Sequence, residues 1–325
     1  MADYQSPITA TLTGIINAFK KQKKIGDLKE TDRVDGKTCL ITGANSGLGF
    51  ALAVELAKRG AKVLMACRSG ISDAGEKVKK YSTSEKVEMF KVDLSDLTSV
   101  DALVDELKSG MIKIDILICN AATVPSKARK TPQGFETMFV VNYLAKFVLL
   151  NRIRKENLLS SDNTPRIIII SSESHRSPKN LEFESFGNYE DFAMSKVVAL
   201  YGYYKLALTT LAREFSRRTN DKKLNVSVHV ICPGAINSNI AREAPGYTKP
   251  LIKFIFALFF QKPEKAAKPV SYLACSKEIE GRNDIYLHMY TEKLPDAKTM
   301  DTTNGKALWD RSNFLLKSIN YGRTF

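Results

Sequence analysis

Three glycines in one short turn, Gly43, Gly47 and Gly49, are the residues whose type and spacing most directly indicate a chemical role. They separate an apolar, β-branched stretch at 37–42 from a helix-forming stretch at 51–58. Glycines let backbone N–H groups approach a ligand closely, and the N-terminus of the helix that follows favours negative charge. The turn therefore predicts a binding site for the pyrophosphate of a dinucleotide.

The end of the next predicted strand, 62–67, indicates which dinucleotide would bind. An acidic side chain at that position would bind a ribose 2′-hydroxyl and repel a 2′-phosphate. The chain has Cys67 followed by Arg68 there, and a guanidinium can form a two-pronged, charge-assisted hydrogen bond with a phosphate. We therefore predict that the cofactor is NADP(H), with Arg68 on its 2′-phosphate.

The elements that must position these residues alternate between strand and helix from residue 37 to about 290, without a linker rich in Pro, Gly or Ser. Continuous apolar runs such as 167–170 are typical of strands that helices cover on both faces. The sequence thus predicts an α/β fold, a single doubly wound Rossmann-type domain with a mostly parallel seven-stranded sheet. The predicted strands lie near 37–42, 62–67, 87–92, 115–119, 166–171, 225–231 and 284–288. The predicted helices lie near 47–59, 72–81, 98–108, 132–156, 190–219 and 263–276.

The domain organisation follows from this alternation and from two flanking segments. We predict an amphipathic basic N-terminal segment at 1–34, the NADP-binding domain at 35–295 and a C-terminal extension at 296–325, with a final helix near 306–318. A substrate lid is predicted at about 240–262, inside the domain.

Two apolar segments could contact a membrane, although neither is long enough to span one, and no signal peptide is apparent. Apolar side chains near helical spacing in residues 7–19 precede the basic run 20–24, a pattern that suits an anionic interface. The apolar run 251–260 is consistent with a lid over a lipophilic substrate, with a membrane-dipping patch, and equally with a core helix. We expect a cytoplasmic protein, with peripheral contact to an intracellular membrane left open.

The net charge of +14 narrows the classes of partner. No basic nucleic-acid motif or aromatic platform accompanies it, so we predict no nucleic-acid partner. A polyphosphate cofactor and an anionic membrane surface both suit a basic protein. Five cysteines without paired spacing predict buried thiols in a reducing compartment, and three widely separated histidines predict no metal site.

The spacing Gly-x-x-x-Gly-x-Gly after Thr42 resembles the cofactor loop of the short-chain dehydrogenase/reductase family. Further landmarks follow in that family's order over about residues 35 to 290. The Thr-Gly-Ala-Asn loop, the Ala-Cys-Arg strand ending at 66–68 and the Ser-Ser pair at 171–172 resemble the retinol-dehydrogenase-like branch. This resemblance implies a lipophilic substrate, retinoid-like or steroid-like. Members of the family often dimerise or tetramerise through the long helices, so a homodimer is one expectation, but the apolar residues of these helices could equally cover the sheet.

The same resemblance implies which residues contact the cofactor, from the glycine loop through the adenine side to the nicotinamide side. These residues are Gly43, Asn45, Ser46, Gly47, Leu48, Gly49, Arg68, Asp93, Leu94, Asn120, Lys196, Pro233, Gly234 and Ser238.

The catalytic residues implied by the resemblance are Ser172, Lys196 and Asn142, with Phe192 at the tyrosine position. In the family, the serine holds the substrate oxygen, and a tyrosine four residues before the lysine gives or takes the proton. The lysine binds the nicotinamide ribose and lowers the pKa of the phenol, and the asparagine supports this arrangement. Phe192 has no hydroxyl, and removing a placed general acid usually lowers the rate by about 10² to 10⁴.

Three interpretations of Phe192 follow. The chain is a catalytically impaired NADP(H)-binding scaffold or sensor, or it is an enzyme with a displaced acid, for which Tyr189 is the nearest candidate and Ser172 or a water a further one. The third interpretation is that the motif lies in another segment than 192–196. The reading that the resemblance favours is an NADP(H)-dependent oxidoreductase that interconverts lipophilic alcohols and carbonyls by hydride transfer.

Overall fold

The structure is a computed structural model, and it describes residues 24–161, 164–220, 225–235 and 261–325. Eight strands form one sheet in these residues. They are β1 (Thr38–Thr42), β2 (Lys62–Cys67), β3 (Val87–Lys91), β4 (Ile116–Cys119), β5 (Arg166–Ile170), β6 (Ser227–Cys232), β7 (Tyr286–His288) and β8 (Thr291–Lys293). The spatial order is β3-β2-β1-β4-β5-β6-β7-β8, so the chain reverses its direction of winding between β1 and β4. Ligands of such sheets bind at the carboxyl ends of the strands near that reversal.

Helices cover both faces of the sheet. They are α1 (Gly47–Lys58), α2 (Ile71–Ser82), α3 (Leu97–Ser109), α4 (Thr137–Phe139, the π turn Val140–Leu144 and Ala145–Lys155), α5 (Met194–Asn220), α6 (Pro263–Cys275), α7 (Ala297–Met300) and α8 (Thr302–Ser318). The prediction of a single doubly wound, mostly parallel α/β domain is confirmed.

The predicted strand count of seven was wrong by one. Strands β1 to β7 pair in parallel, and β8 pairs antiparallel with β7. Met289 lies in the turn between β7 and β8 with a φ of 54°. Because Thr291–Lys293 has only three residues and no apolar side chain, no strand pattern marks it in the sequence.

Each face of the sheet has its own apolar core. Leu40, Leu117 and Ile167 point to the face that α3, α4, α5 and α8 cover, whereas Ile41 and Ile168 point to the face that α1, α2 and α6 cover. This alternation along each strand is the period-two pattern of a pleated strand, and it decides which of the two cores each side chain joins.

The C-terminal helix α8 packs against α5. Trp309 is fully buried there, and its Nε1 donates to the Phe325 carbonyl at 3.0 Å. The helix begins at Thr302 rather than near 306, because the Asp301 side chain caps it by accepting from the Thr303 N–H at 2.8 Å. Predictions for Ser238, for residues 240–260 of the lid and for residues 1–23 of the N-terminal segment lie outside the described residues.

Candidate active site

The glycine turn between β1 and α1 has the geometry that a pyrophosphate site needs. Gly43 and Gly47 adopt positive φ angles of 68° and 55°. The Ser46 side chain makes no capping hydrogen bond to the first turn of α1. A Cβ on Gly49 would lie 2.6 Å from Asn120 Nδ2 and closer still to the Gly43 carbonyl. The turn therefore tolerates only glycine at position 49, and the helix N-terminus stays open to an anion.

The end of β4 braces this turn. Thr42 Oγ1 accepts from the Asn120 N–H at 3.0 Å and from the Ala121 N–H at 3.2 Å. Asn120 Nδ2 donates to the carbonyls of Thr42, at 2.9 Å, and Gly43, at 3.1 Å. Asn120, predicted as a cofactor contact, is thus placed as a support of the loop on which the cofactor would lie.

The adenine side of the predicted site lies at the ends of β2 and β3. Asn45 Nδ2 donates to the Ser69 carbonyl at 2.8 Å and ties the glycine turn to the end of β2. The Arg68 side chain is 67% exposed, and its Nη1 lies 4.0 Å from Asp93 Oδ2. An exposed ion pair at this distance holds the guanidinium only weakly, so Arg68 remains accessible to a phosphate.

Of four other predicted cofactor residues, two lie in the apolar cores and two lie in the loop that follows β6. Leu48 and Leu94 are each 6% exposed and belong mainly to the two cores. Gly234, with a φ of 83°, follows Pro233 at the end of β6. The Pro233 carbonyl accepts a short hydrogen bond from Gln261 Nε2, which ties this loop to the segment before α6.

Ser172 follows β5 and begins a short 3₁₀ turn, Glu173–Arg176. Its Oγ accepts from the Ser174 N–H at 3.2 Å. His175 Nδ1 lies 2.7 Å from the Ser172 carbonyl, and Nε2 accepts from the Asp296 N–H at 3.1 Å, which assigns the proton to Nδ1. Burial lowers the pKa of His175 to about 4. The imidazole is therefore neutral near pH 7, and it braces the turn that presents Ser172.

Asn142 lies in the π turn of α4 and is fully buried. Its Oδ1 accepts from the Thr123 N–H at 2.9 Å, and its Nδ2 donates to the Thr123 carbonyl at 2.8 Å. Asn142 therefore fixes the loop that leaves β4, next to the glycine turn.

The structure places Phe192 and Lys196 in different surroundings. Phe192 precedes α5, is 8% exposed and packs into the core, while Lys196 is exposed on the first turn of the helix. Tyr189, the predicted substitute acid, lies before the helix, where its hydroxyl donates to Asp191 Oδ1 at 2.7 Å and Lys130 Nζ lies 4.7 Å from its ring centroid. These residues do not form the expected pair on one helix face.

A tyrosine and a lysine four residues apart do occur farther along α5, at Tyr201 and Lys205. Lys205 is 1% exposed, and its Nζ donates at 2.8 Å to the carbonyl of Ile170, the last residue of β5. The same Nζ lies 5.4 Å from the centroid of the Tyr201 ring. Ser172 is two residues beyond Ile170, so the structure brings a hydroxyl, a phenol and an ammonium to one corner of the sheet.

A close helix contact makes this arrangement possible. A Cβ on Gly202 would lie 2.8 Å from the Ser174 carbonyl, so the glycine lets α5 touch the turn that begins at Ser172. Burial, and secondly the charge of Lys146, lower the pKa of Lys205 to about 7. Burial raises the pKa of Tyr201.

Sequence reasoning missed Tyr201 and Lys205, although their spacing is visible in Tyr201-Gly202-Tyr203-Tyr204-Lys205. The apolar run 206–208 that follows Lys205 was the available signal, because it indicates a lysine in a buried part of the helix.

All five cysteines are buried free thiols, as predicted. Among the described residues, no helix has the length and apolar content that a membrane crossing requires. The same part of the chain has no cluster of His, Cys, Asp and Glu able to hold a metal ion.

The chain is similar to known proteins over most of its length. A family model described as short chain dehydrogenase matches residues 37–182. Retinol dehydrogenase 14 of Mus musculus is 34% identical over 295 residues, which are 86% of this chain and 86% of that protein. Retinol dehydrogenase 13 of Homo sapiens is 28% identical over 320 residues, which are 96% and 95% of the two chains.

Solved structures agree on the architecture. An uncharacterized protein from Mycobacterium paratuberculosis superimposes with a TM-score of 0.67 at 27% identity, covering 90% of this chain and 98% of that one. The RhlG/NADP complex of Pseudomonas aeruginosa has a TM-score of 0.60 at 22% identity, covering 81% and 98%. At that identity the second likeness supports the fold alone.

Proposed function

The chain belongs to the short-chain dehydrogenase/reductase family, in its retinol-dehydrogenase-like branch, and from this premise we propose that it is an NADP(H)-dependent oxidoreductase of lipophilic alcohols and carbonyls. The observation on which this proposal depends is the position of Tyr201 and Lys205 against the end of β5, next to Ser172. This group supplies the hydroxyl, the proton donor and the cation that the family's chemistry uses.

Each residue has its own proposed role in a carbonyl reduction. The Ser172 hydroxyl donates to the substrate oxygen, and the Tyr201 phenol gives that oxygen its proton as negative charge develops on it. Burial raises the pKa of Tyr201, so the phenol keeps the proton that the reduction consumes near pH 7. Lys205 would hold the nicotinamide ribose of a bound cofactor, and Asn142 fixes the adjoining loop. The cofactor would supply the hydride.

The preference for NADP(H) over NAD(H) is proposed from the end of β2. Cys67 stands where a carboxylate would select the ribose 2′-hydroxyl, and Arg68 is exposed at the same edge of the sheet as the glycine turn. A guanidinium at this point suits the 2′-phosphate.

Two observations support a lipophilic substrate. Met194 and Val198 are 51% and 56% exposed, and together with Tyr201 they lie at helical spacing on one face of α5. This strip of apolar side chains approaches the proposed proton donor. Two similar proteins are named retinol dehydrogenases. A lid near 240–262, peripheral contact with a membrane and a homodimer remain proposals.

The scaffold interpretation depended on Phe192 at the tyrosine position. Because Phe192 packs into the core and Tyr201 supplies a phenol next to a buried lysine, we do not propose a catalytically impaired protein.

The experiment is NADPH oxidation with a panel of retinal, steroid ketones and aliphatic aldehydes. We expect turnover with at least one lipophilic carbonyl, and a loss of about 10² to 10⁴ in Tyr201→Phe. Tyr189→Phe is the matched control, because it deletes the same hydroxyl from a residue before α5, and we expect its rate to be unchanged. Full activity in Tyr201→Phe, or its loss in Tyr189→Phe, would contradict the proposal.

A further inference from the structure

A second buried lysine, Lys146 on α4, has no part in the reaction described so far. It is 1% exposed, and its Nζ donates to the carbonyls of Ala121 at 2.8 Å and Val141 at 2.6 Å. A fully buried ammonium is costly and is rarely found without partners. Its partners here are neutral carbonyls, so the positive charge is not compensated by them.

The two buried lysines reach the ends of neighbouring strands. Lys205 holds the carbonyl of Ile170, at the end of β5, and Lys146 holds that of Ala121, two residues beyond β4. Cys119 pairs with Ile169 in the parallel register, and adjacent strands lie about 4.8 Å apart. Two helices on the same face of the sheet thus bring two ammonium groups to one corner.

Lys146 also acts on the same loop as Asn142. The two residues are one helical turn apart on α4 and therefore share a face. Asn142 binds both backbone polar groups of Thr123, and Lys146 binds the carbonyl of Ala121. Together they fix the loop from β4 at two points separated by one residue, directly beside the glycine turn.

We propose that Lys146 is a positioning residue for the proposed oxidoreductase reaction: it fixes the β4 loop at Ala121, and it places a second positive charge at the corner of the sheet that Lys205 occupies. The inference rests on the proposed function, because it needs a reaction in which Lys205 takes part.

The electrostatics agree with this geometry. Burial lowers the pKa of Lys146 to about 8 and that of Lys205 to about 7, with the charge of Lys146 as the second cause for Lys205. The thiols of Cys119, on β4, and Cys232, on β6, face the two lysines, and burial raises their pKa values to about 12 and about 11. Burial also raises the pKa of Tyr201. These three groups stay neutral near pH 7, so they do not balance the charge.

The sign of the expected effect follows. A neighbouring positive charge favours the neutral form of Lys205 and lowers its pKa. Removing that charge raises the pKa of Lys205, so the pH at which its ammonium is lost moves upward.

The experiment compares pH profiles of kcat for NADPH-dependent reduction in the full chain. In Lys146→Met we expect the alkaline limb to move up by about one pH unit, with a several-fold lower kcat. In Lys146→Arg, which keeps the charge, the limb stays at the wild-type pH. Lys146→Gln keeps a donor without the charge, so we expect the shifted limb with a smaller loss of kcat. The matched control is Lys155→Met, an exposed lysine of the same helix, for which the wild-type profile is expected.

An active Lys146→Met enzyme with an unshifted profile would overturn the inference. If neither Lys146→Met nor Lys146→Gln folds, the inference is tested by NMR titration of carbon-13-labelled lysine in the wild-type protein. The inference then requires two lysine signals with midpoints well below those of the others, and their absence would overturn it. Failure of the proposed function is recognised separately, as a wild-type protein without turnover or as turnover that survives in Tyr201→Phe.

Discussion

The first turn of α5 and its middle each have a lysine that follows an aromatic residue by four positions, yet the two regions differ in what surrounds them. Lys196 is exposed, and Phe192 precedes the helix and packs into the core. Lys205 is 1% exposed, binds the last carbonyl of β5 and lies 5.4 Å from the ring centroid of Tyr201. Equal spacing makes a site only where both residues lie on the helix and the helix touches the end of a strand.

Burial gives Lys205 its chemical character. An exposed ammonium is hydrated and free to move, whereas a desolvated one is fixed by its hydrogen bond and has a lower pKa. Lys205 has both properties, since its Nζ donates to Ile170 and its pKa is lowered to about 7 mainly by burial. A group that titrates near neutral pH and is held next to a phenol suits proton transfer.

The largest effect that we expect separates these two lysines directly. Lys205→Met should lower kcat of NADPH-dependent reduction by about 10² to 10⁴, because it removes the cation next to Tyr201. Lys196→Met is the matched change and should leave kcat within about twofold, because an exposed surface substitution usually has little effect. Steady-state rates with the best carbonyl of the substrate panel would measure both variants.

Stability provides the control for this pair. Methionine fills a similar volume to lysine without the desolvation cost of a buried ammonium, so Lys205→Met should keep the melting temperature of the wild type. If Lys196→Met lost turnover and Lys205→Met kept it, the catalytic motif would have to be assigned to residues 192–196.

A smaller effect is expected from the contact that brings the middle of α5 to the sheet edge. In Gly202→Ala, the new Cβ would lie 2.8 Å from the Ser174 carbonyl, so the helix or the turn must shift. We expect a destabilisation of about 1 to 3 kcal/mol and a drop in kcat, because Tyr201 moves away from Ser172. Urea unfolding and steady-state rates would measure the two effects.

Ser195→Ala, an exposed position in the first turn of the same helix, is the matched control and should change neither stability nor kcat. A Gly202→Ala protein with wild-type stability and rate would mean that the contact with Ser174 is not needed to place Tyr201.

The sequence predicted the fold well because the information is local and repeated. Buried strands such as β4 and β5 are continuous apolar runs. The turn between β1 and α1 needs backbone conformations and close contacts that only glycine allows, so the glycines themselves indicate it. Gly49, for example, has no room for a Cβ. Strand β8 was missed because three polar residues at an edge have no pattern, and their pairing with β7 depends on a turn at Met289.

The proposed catalytic pair, Tyr201 and Lys205, was not predicted, since the choice of pair depends on where α5 begins. A start near 190 would put Phe192 on the helix, whereas the helix begins at Met194. Burial of Lys205 results from the packing of α5 against β5, a contact between residues 35 positions apart. Spacing alone cannot distinguish two candidates that differ only in such long-range contacts.

The smallest effect concerns Arg68, which tests whether exposure alone excludes a residue from a site. Like Lys196 it is exposed, but it lies at the carboxyl edge of the sheet, where an exposed guanidinium can reach a phosphate of the cofactor. We expect Arg68→Ala to weaken NADPH binding about tenfold, or about 1.4 kcal/mol, and to leave NADH binding unchanged, because only NADPH has a 2′-phosphate. Calorimetric titration with both cofactors would measure this difference.

Lys62→Ala is the matched control, because Lys62 begins the strand that Cys67 ends and its charge pairs with Glu88 at the opposite edge of the sheet. It should bind both cofactors as the wild type does. An equal loss for NADPH and NADH in Arg68→Ala would mean that the side chain supports the loop and does not recognise the phosphate. Assigning cofactor residues by their position at the carboxyl edge of the sheet would then have failed for Arg68, and the choice of NADP(H) would lose its main support.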